Sequence, residues 1–501
     1  MSESQNNNPL ESLVIFDRLE VGPVRVERRS LTMPYRLYKQ QTMEETALHY
    51  RYEEDVFEPH NLHSQGLAAM IGSQVALNYG LFCKEIAFRG NFDSADRELL
   101  SYAMSNTACE IYVDKFLHPN PFLIGEAAKL PVVKLEDYNR ATLVFPDADL
   151  DTTPQEIFRH QNREHCYAVL SSGGKDSLLS FGLMRELGYE THPLFFNESG
   201  RHWFTALNAY RHFRTHIPHT ARVWSDSDRL FGWFLRRMPF IRPDFANLRA
   251  DFYPVRLWTV AVFIFGVLPL VLKHRLGRML IGDEFDTTEI IPHHGIPYYN
   301  GLYDQSQFFD DLLTSYYQRK GWDLQQMSLL RPLSELLIQE ILARRYPDLF
   351  SLQVSCHAAH KEQDLFKPCG KCEKCRRIVG MILIHDADPQ SCGYSTEQIK
   401  QALKKISQVG VKQGAAETHQ FMRLLIQKGL ISWPAEKDHL FTYHPEVSKL
   451  RFDAVASPTR TIPRDIRSDL LNIFLEYADG ATERQDQQWI DIPISSIIDA
   501  A

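Results

Sequence analysis

Residues Tyr167-Ala168-Val169-Leu170-Ser171-Ser172-Gly173-Gly174-Lys175-Asp176-Ser177 form an apolar strand pattern that runs straight into glycines and small polar side chains. Leu178, Leu179, Phe181, Leu183, Met184 and Leu187 then recur at helical spacing until Gly188 supplies a stop, so the loop opens a helix. Strand, glycine loop and helix N-terminus together aim backbone N–H groups and the positive end of a helix dipole at one point, where an anion is the natural occupant. Gly173 and Gly174 let a phosphate approach the backbone, Ser172 and Ser177 offer hydroxyls, and Lys175 offsets charge. Asp176 has two readings, as a helix cap or as a group that approaches a magnesium ion.

Outward from the loop, strand patterns at His192 to Phe196, Arg222 to Trp224 and Arg278 to Glu284 alternate with helical ones after Ser177 and over Trp203 to Thr215. That alternation predicts an α/β fold with a parallel sheet. Ligands of such sheets bind beyond the carboxyl ends of the strands, so the glycine loop, Asn197-Glu198-Ser199 and Asp283-Glu284 are expected on one rim. Glu198, Arg201 and His202 are candidates for substrate contact there, next to the plainer reading that Ser199 caps the following helix. Glu284 contacts magnesium or substrate, or is a solvated loop carboxylate. Residues Ser306 to Tyr346 are helical in pattern, broken at Gly321 and at Arg331-Pro332, with Pro332 suited to the first turn of a new helix. Arg331 either clamps a carboxylate or phosphate or pairs with Glu335 across one turn.

With 501 residues the chain exceeds one hydrophobic core. The reading divides it into a polar, disordered tail over 1–9, an N-terminal α+β domain over 10–155 and the loop-bearing domain over 156–350. A cysteine segment over 351–390 and a helical C-terminal region over 391–501 follow. Strands are expected at Ser12 to Phe16, Val21 to Arg28 and Ile111 to Asp114, and helices at Ala68 to Leu77 and Asp96 to Met104. A charge of −8 argues against a nucleic-acid partner held by bulk electrostatics. Met1 to Asn8 lack the pattern of a signal peptide, and the apolar run Leu257 to Leu272 is short for a span and reads as a buried helix, so a cytoplasmic chain with no membrane partner is expected.

Of eight cysteines, Cys356, Cys369, Cys372 and Cys375 are grouped. Without secretory context, grouped cysteines favour a metal over disulfides. Four thiolates suit one tetrahedral structural zinc; overlapping CxxC steps also serve iron–sulfur clusters, and free thiols are the third reading.

Ser172-Gly-Gly-Lys-Asp-Ser177 is not a Walker A loop, which needs four residues between Gly and Gly-Lys-Ser/Thr. It resembles the SGGxDS loop of the N-type ATP pyrophosphatases, the PP-loop family, including the strand before it and the helix after. The resemblance implies ATP and Mg2+ as cofactors, with the loop on the pyrophosphate and cleavage between α and β phosphates to leave an adenylated substrate. Within that family the 7-cyano-7-deazaguanine synthases are similar over about Cys166 to Arg377, pairing the loop with a late cysteine and CxxCxxC. The closer resemblance is to the UDP-N-acetylmuramoyl-L-alanyl-L-glutamate epimerases, from roughly Ala68 to Leu383. It rests on the mixed N-terminal region, on Ser328-Leu-Leu-Arg-Pro-Leu-Ser-Glu-Leu336 and on the Cys-Gly-x-Cys-x-x-Cys run at Cys369 to Cys375. Where those epimerases are expected to carry Gly-Asn-Glu-x-Ser, this chain has Gly282-Asp-Glu-Phe-Asp-Thr287 and keeps Glu284. Both relatives imply activation of a small-molecule carboxylate as an acyl-adenylate. In the epimerases that carboxylate belongs to a UDP-muramoyl dipeptide of cell-wall synthesis and inverts at its α-carbon; in the synthases ammonia attacks. The residues themselves and the resemblance together give an expected catalytic set of Lys175, Asp176, Glu198, His202, Glu284 and Arg331. A silent nucleotide-binding protein is the reading from another class.

Overall fold

Burial alternates along the loop strand, and that alternation sets the architecture. In Arg163–Ser171, Cys166 and Ala168 join one apolar core while Tyr167 and Val169 join another; in Glu190–Asn197, Leu194 and Phe196 part from Phe195 in the same way. Successive side chains of a strand point to opposite faces, so this sheet is covered on both. The computed structural model describes residues 9–147, 163–248, 253–299, 301–433 and 441–498, an α/β chain with a large, mostly parallel central sheet.

The parallel part has the spatial order Gln325–Met327, Leu276–Leu280, Arg163–Ser171, Glu190–Asn197, Ala221–Ser225. From the loop strand the chain moves outward to Glu190–Asn197 and Ala221–Ser225, then returns to its other side for Leu276–Leu280 and Gln325–Met327. This reversal opens a crevice at the carboxyl end of the loop strand. Helices Lys175–Glu186, His202–His216 and Glu335–Arg345 cover one face. The other face holds Val260–Lys273, buried on nearly every side as its continuous apolar sequence requires. Gly266 is the point of closest approach there, since an added Cβ would lie 2.2 Å from the Phe196 ring. Among the described residues no helix is long and apolar enough to cross a membrane.

The α+β content expected over 10–155 is present, but it continues the central sheet. Thr42–Tyr52 pairs antiparallel with Ala221–Ser225, Tyr50 opposite Ser225 and Tyr52 opposite Val223. Ser30–Lys39, Phe16–Val21, Cys83–Phe88 and Thr142–Val144 extend the sheet further. Helices Leu62–Ser73 and Ser94–Ile111 share the core of Val260–Lys273.

Local differences have local causes. Ile111 to Asp114, expected as a strand, instead ends the helix Ser94–Ile111 and enters the π-helical turn Tyr112–Phe116; the helix starts at a capping box between Asp93 and Asp96, and its buried residues Leu99, Leu100, Ala103, Met104, Ala108 and Ile111 keep helical spacing to the end. The first strand begins at Phe16, after a 3-10 turn Pro9–Leu13. Pro332 lies in the turn before its helix, which starts after the Ser334 cap, and the strand Gln325–Met327 interrupts the expected helical run. The C-terminal region has the expected helices Thr396–Val409, Ala415–Gln427 and Arg464–Leu475, but also a sheet of Leu450–Phe452, Ala481–Gln485 and Gln488–Ile492. Its hairpin turns at Asp486 and Gln487, at φ +46° and +67°, without the Asn-Gly pair that signals such a turn. The tail over residues 1–8 and the boundary expected at 155/156 lie outside the described residues.

Candidate functional site

At the end of the loop strand, Gly173 adopts φ +73°, and a Cβ there would meet the Thr205 carbonyl oxygen at 2.8 Å and Ala206 Cα at 2.9 Å. Only glycine combines that backbone with that proximity. Gly174 is the N-cap of Lys175–Glu186 and has no side chain to cap with. Hydroxyls order the turn instead: Gly174 N–H donates to Ser172 Oγ at 3.3 Å, Ser172 N–H donates to Ser177 Oγ at 3.2 Å, and Ser177 Oγ donates to the Gly174 carbonyl at 3.2 Å. First-turn amides of a helix have no partner within it, so Lys175, Asp176 and Ser177 bring backbone donors to the crevice.

Beside the loop opens a cavity of about 330 Å³, within the size range of small-molecule sites. Ser172, Asp176 and Ser177 line it with Glu198, Asp228 and Asp283. These groups follow the ends of four neighbouring parallel strands, so the rim expected from the sequence forms. Arg256 and Lys374 supply positive charge, and Phe196, Phe231 and Phe263 an apolar wall. The Arg256 guanidinium stacks 4.0 Å from the Tyr253 ring centroid and pairs with Asp228 at 2.8 Å.

Glu198 is buried and accepts the Trp203 N–H at 3.0 Å, which caps helix His202–His216; burial pushes its carboxyl up to about 6. The capping role weighed for Ser199 thus falls to Glu198, while Ser199 donates to the Ser225 carbonyl at 2.8 Å. His202 is exposed and lines the cavity near Tyr253. Of the two acids after Leu276–Leu280, Asp283 lines the cavity and Glu284 does not, and the Lys175 charge acts on Glu284. Asp283 is buried, its Oδ2 has no hydrogen-bond partner among the described residues, and burial raises its carboxyl well above the ordinary range.

Lys175 does not line the cavity. Its buried ammonium lies 2.7 Å from Asp176 and 3.2 Å from Glu335, and these carboxylates with Glu284 outweigh burial to hold it charged. Burial works against the Glu335 carboxylate too, but Arg377 and Lys175 depress it to about 2. Glu284 is raised to about 7, first by burial, then by Asp176 and Glu335, against the pull of Lys175. A folded pKa above the unfolded one contributes stability that is complete below the unfolded value and is lost as pH rises through about 7. Glu284→Gln is therefore expected to exceed wild type in stability near pH 8 by on the order of 1 to 3 kcal/mol, the gap closing toward about pH 4. Thermal midpoints at both pH values check this, and an equal gap at both contradicts it.

Arg331 is fully buried and also stands off the cavity. Its guanidinium donates to Thr287 Oγ1, Thr288 Oγ1, the Gln305 carbonyl and Asp310 Oδ2, each at 2.7 to 2.8 Å, with Asp283 at 3.6 Å. Neither the ligand clamp nor the pairing with Glu335 is what this side chain does; it braces the loop behind the rim from inside.

The four grouped cysteines lie with all sulfurs within 4.8 Å of one another. Sulfurs on a tetrahedral zinc at about 2.3 Å lie about 3.8 Å apart, and the pairs Cys356–Cys372, Cys369–Cys375 and Cys372–Cys375 are at 4.0, 3.8 and 3.4 Å. Backbone N–H groups of Ala358 and Cys369 donate to Cys356 Sγ at 3.2 Å, as thiolate ligands require. The cluster fits a metal such as zinc. Metal analysis is expected to return about one zinc per chain, with a lower thermal midpoint after chelation; a ratio far below one, or iron with visible absorbance, contradicts this. A second group, Glu190, His192 and His219, also brings donors within 4.8 Å. It is an ion-pair cluster: Arg163 holds both Glu190 oxygens at 2.8 and 3.0 Å, and the two imidazoles stack at 14°, so one ion cannot lie in both ring planes.

Sequence reading passed over Asp228, Arg256, Lys374 and Arg377. Asp228 was within reach, because it follows the end of a recognised strand. Arg256 stands in an irregular segment without periodicity, and Lys374 and Arg377 were masked by the cysteines around them. No protein-family model matches this chain, and no curated protein sequence matches it.

Proposed function

We propose that this chain is an enzyme that uses Mg·ATP to adenylate a substrate carboxylate, releasing pyrophosphate, and then inverts the α-carbon. What carries the reading is the glycine loop at the crevice where the sheet order reverses, with helix amides and serine hydroxyls converging beside a cavity. The loop takes the β and γ phosphates, a carboxylate oxygen attacks the α phosphorus, and pyrophosphate leaves. Asp176, the loop carboxylate in the cavity, would hold the magnesium ion that neutralises the phosphates.

Adenylation makes the hydrogen α to the carbonyl more acidic. Glu198 and Asp283 follow the strands on either side of the loop strand, and burial pushes the first carboxyl up to about 6 and raises the second well above the ordinary carboxylate range. Such a pair suits removal of the proton by Glu198 and its return to the opposite face by Asp283, before water releases AMP. A UDP-muramoyl dipeptide is the substrate class the sequence resemblance favours. The reading carries a cytoplasmic location, where ATP is made and thiols stay reduced.

Incubation with Mg·ATP and candidate acids tests this: AMP, pyrophosphate and solvent deuterium at Cα are expected together. Product that depends on ammonia and keeps its α-hydrogen assigns the site to amide or nitrile formation instead. Persistent absence of ATP cleavage leaves a nucleotide-binding protein.

A further inference from the structure

The cysteine segment is built into the phosphate loop at two points. Val354 N–H, just before Cys356, donates to the Gly173 carbonyl at 3.2 Å. Arg377, two residues after Cys375 on helix Glu373–Ile384, lies with Nε 3.2 Å from Glu335 Oε2 and donates through Nη1 to the Lys412 carbonyl at 2.8 Å. Gln413 Nε2 donates to the same Glu335 oxygen at 2.7 Å. With one oxygen held from that side, Glu335 offers the other to Lys175 at 3.2 Å, and Lys175 reaches Asp176 at 2.7 Å. The chain of charges ends on the loop carboxylate that lines the cavity. Lys374, three residues before Arg377 on the same helix, lines that cavity directly.

We propose that Glu335 and Arg377 are positioning residues for the loop's Lys175–Asp176 pair, and that the metal-bearing segment acts through them to set the geometry of the nucleotide site. The functional half of the statement rests on the nucleotide reading above; the coupling itself does not. Buried charges stay fixed only while every member is paired, and a half-paired network loosens. Helix Glu373–Ile384 starts at the ligand Cys372, so its register, and with it Arg377, follows the metal.

Amide hydrogen exchange on the full-length, metal-loaded protein tests the coupling, with wild type, Arg377→Met, Arg377→Lys and Glu335→Gln compared. Exchange in the peptide over residues 171–180 is expected to rise about tenfold in Arg377→Met and Glu335→Gln, to recover in part in Arg377→Lys, and to stay unchanged over 464–475. Loop exchange equal to wild type in both neutral variants overturns the proposal, as does a loss of protection spread evenly over the chain. A Mg·ATP arm separates the two readings: protection of 171–180 by Mg·ATP in wild type supports nucleotide binding, whereas the relay stands or falls on the nucleotide-free comparison.

Discussion

Gly173→Val is expected to lower ATP turnover by at least about 100-fold in a protein that still folds. Two costs meet at this position: a β-branched residue must adopt φ +73°, and its Cβ must occupy space 2.8 Å from a carbonyl oxygen of the neighbouring helix. Neither obstacle is a flexible side chain, so relief comes from moving the loop. A displacement near 1 Å there misaligns amides and hydroxyls that must meet phosphate oxygens together. Gly125→Val is the control, because Gly125 has φ +67° with no atom of the described residues within 4 Å of an added Cβ. It carries the backbone cost alone and is expected to retain turnover. Full activity in Gly173→Val removes the loop from the site.

Arg331→Met is expected to cost about 3 to 5 kcal/mol in stability. The guanidinium is fully buried and is the cation beside Asp310 at 2.8 Å and Asp283 at 3.6 Å. Removing it leaves two buried carboxyls without a counter-charge among the described residues, and burial already raises both. Asp310→Asn in the same chain is expected to recover a substantial share, since it removes one stranded charge. Thermal and denaturant midpoints read both variants. A single variant within about 1 kcal/mol of wild type contradicts the bracing role and returns Arg331 to the list of ligand contacts.

The parallel half of the fold was legible because its strands are apolar runs bounded by glycine and polar residues, and each meets a helix of clear period. A parallel sheet puts the carboxyl ends of its strands on one edge, and that alone supplies the rim. The join between Thr42–Tyr52 and Ala221–Ser225 was not legible: an antiparallel pairing between residues more than 160 positions apart leaves no local trace. Side-chain direction was the second limit. Asp283 and Glu284 are adjacent acids, and only the path of the chain after the strand decides that one meets the cavity and the other does not. Lys175 and Arg331 illustrate the same point for cations: a glycine-loop lysine reads as an anion contact and an arginine before proline as a clamp or a partner of Glu335, whereas Lys175 is spent on Asp176 and Glu335 and Arg331 on Asp310. The cysteines were the opposite case, because the overlapping CxxC steps hold three of the four sulfurs close along the chain itself.

Exchange of labelled pyrophosphate into ATP, run on the metal-loaded protein with magnesium and a panel of carboxylic acids, tests the central claim most directly. Reversible adenylation requires label in ATP that depends on one acid, and that Gly173→Val loses. A folded, metal-loaded chain that binds its acid and never exchanges label contradicts the claim.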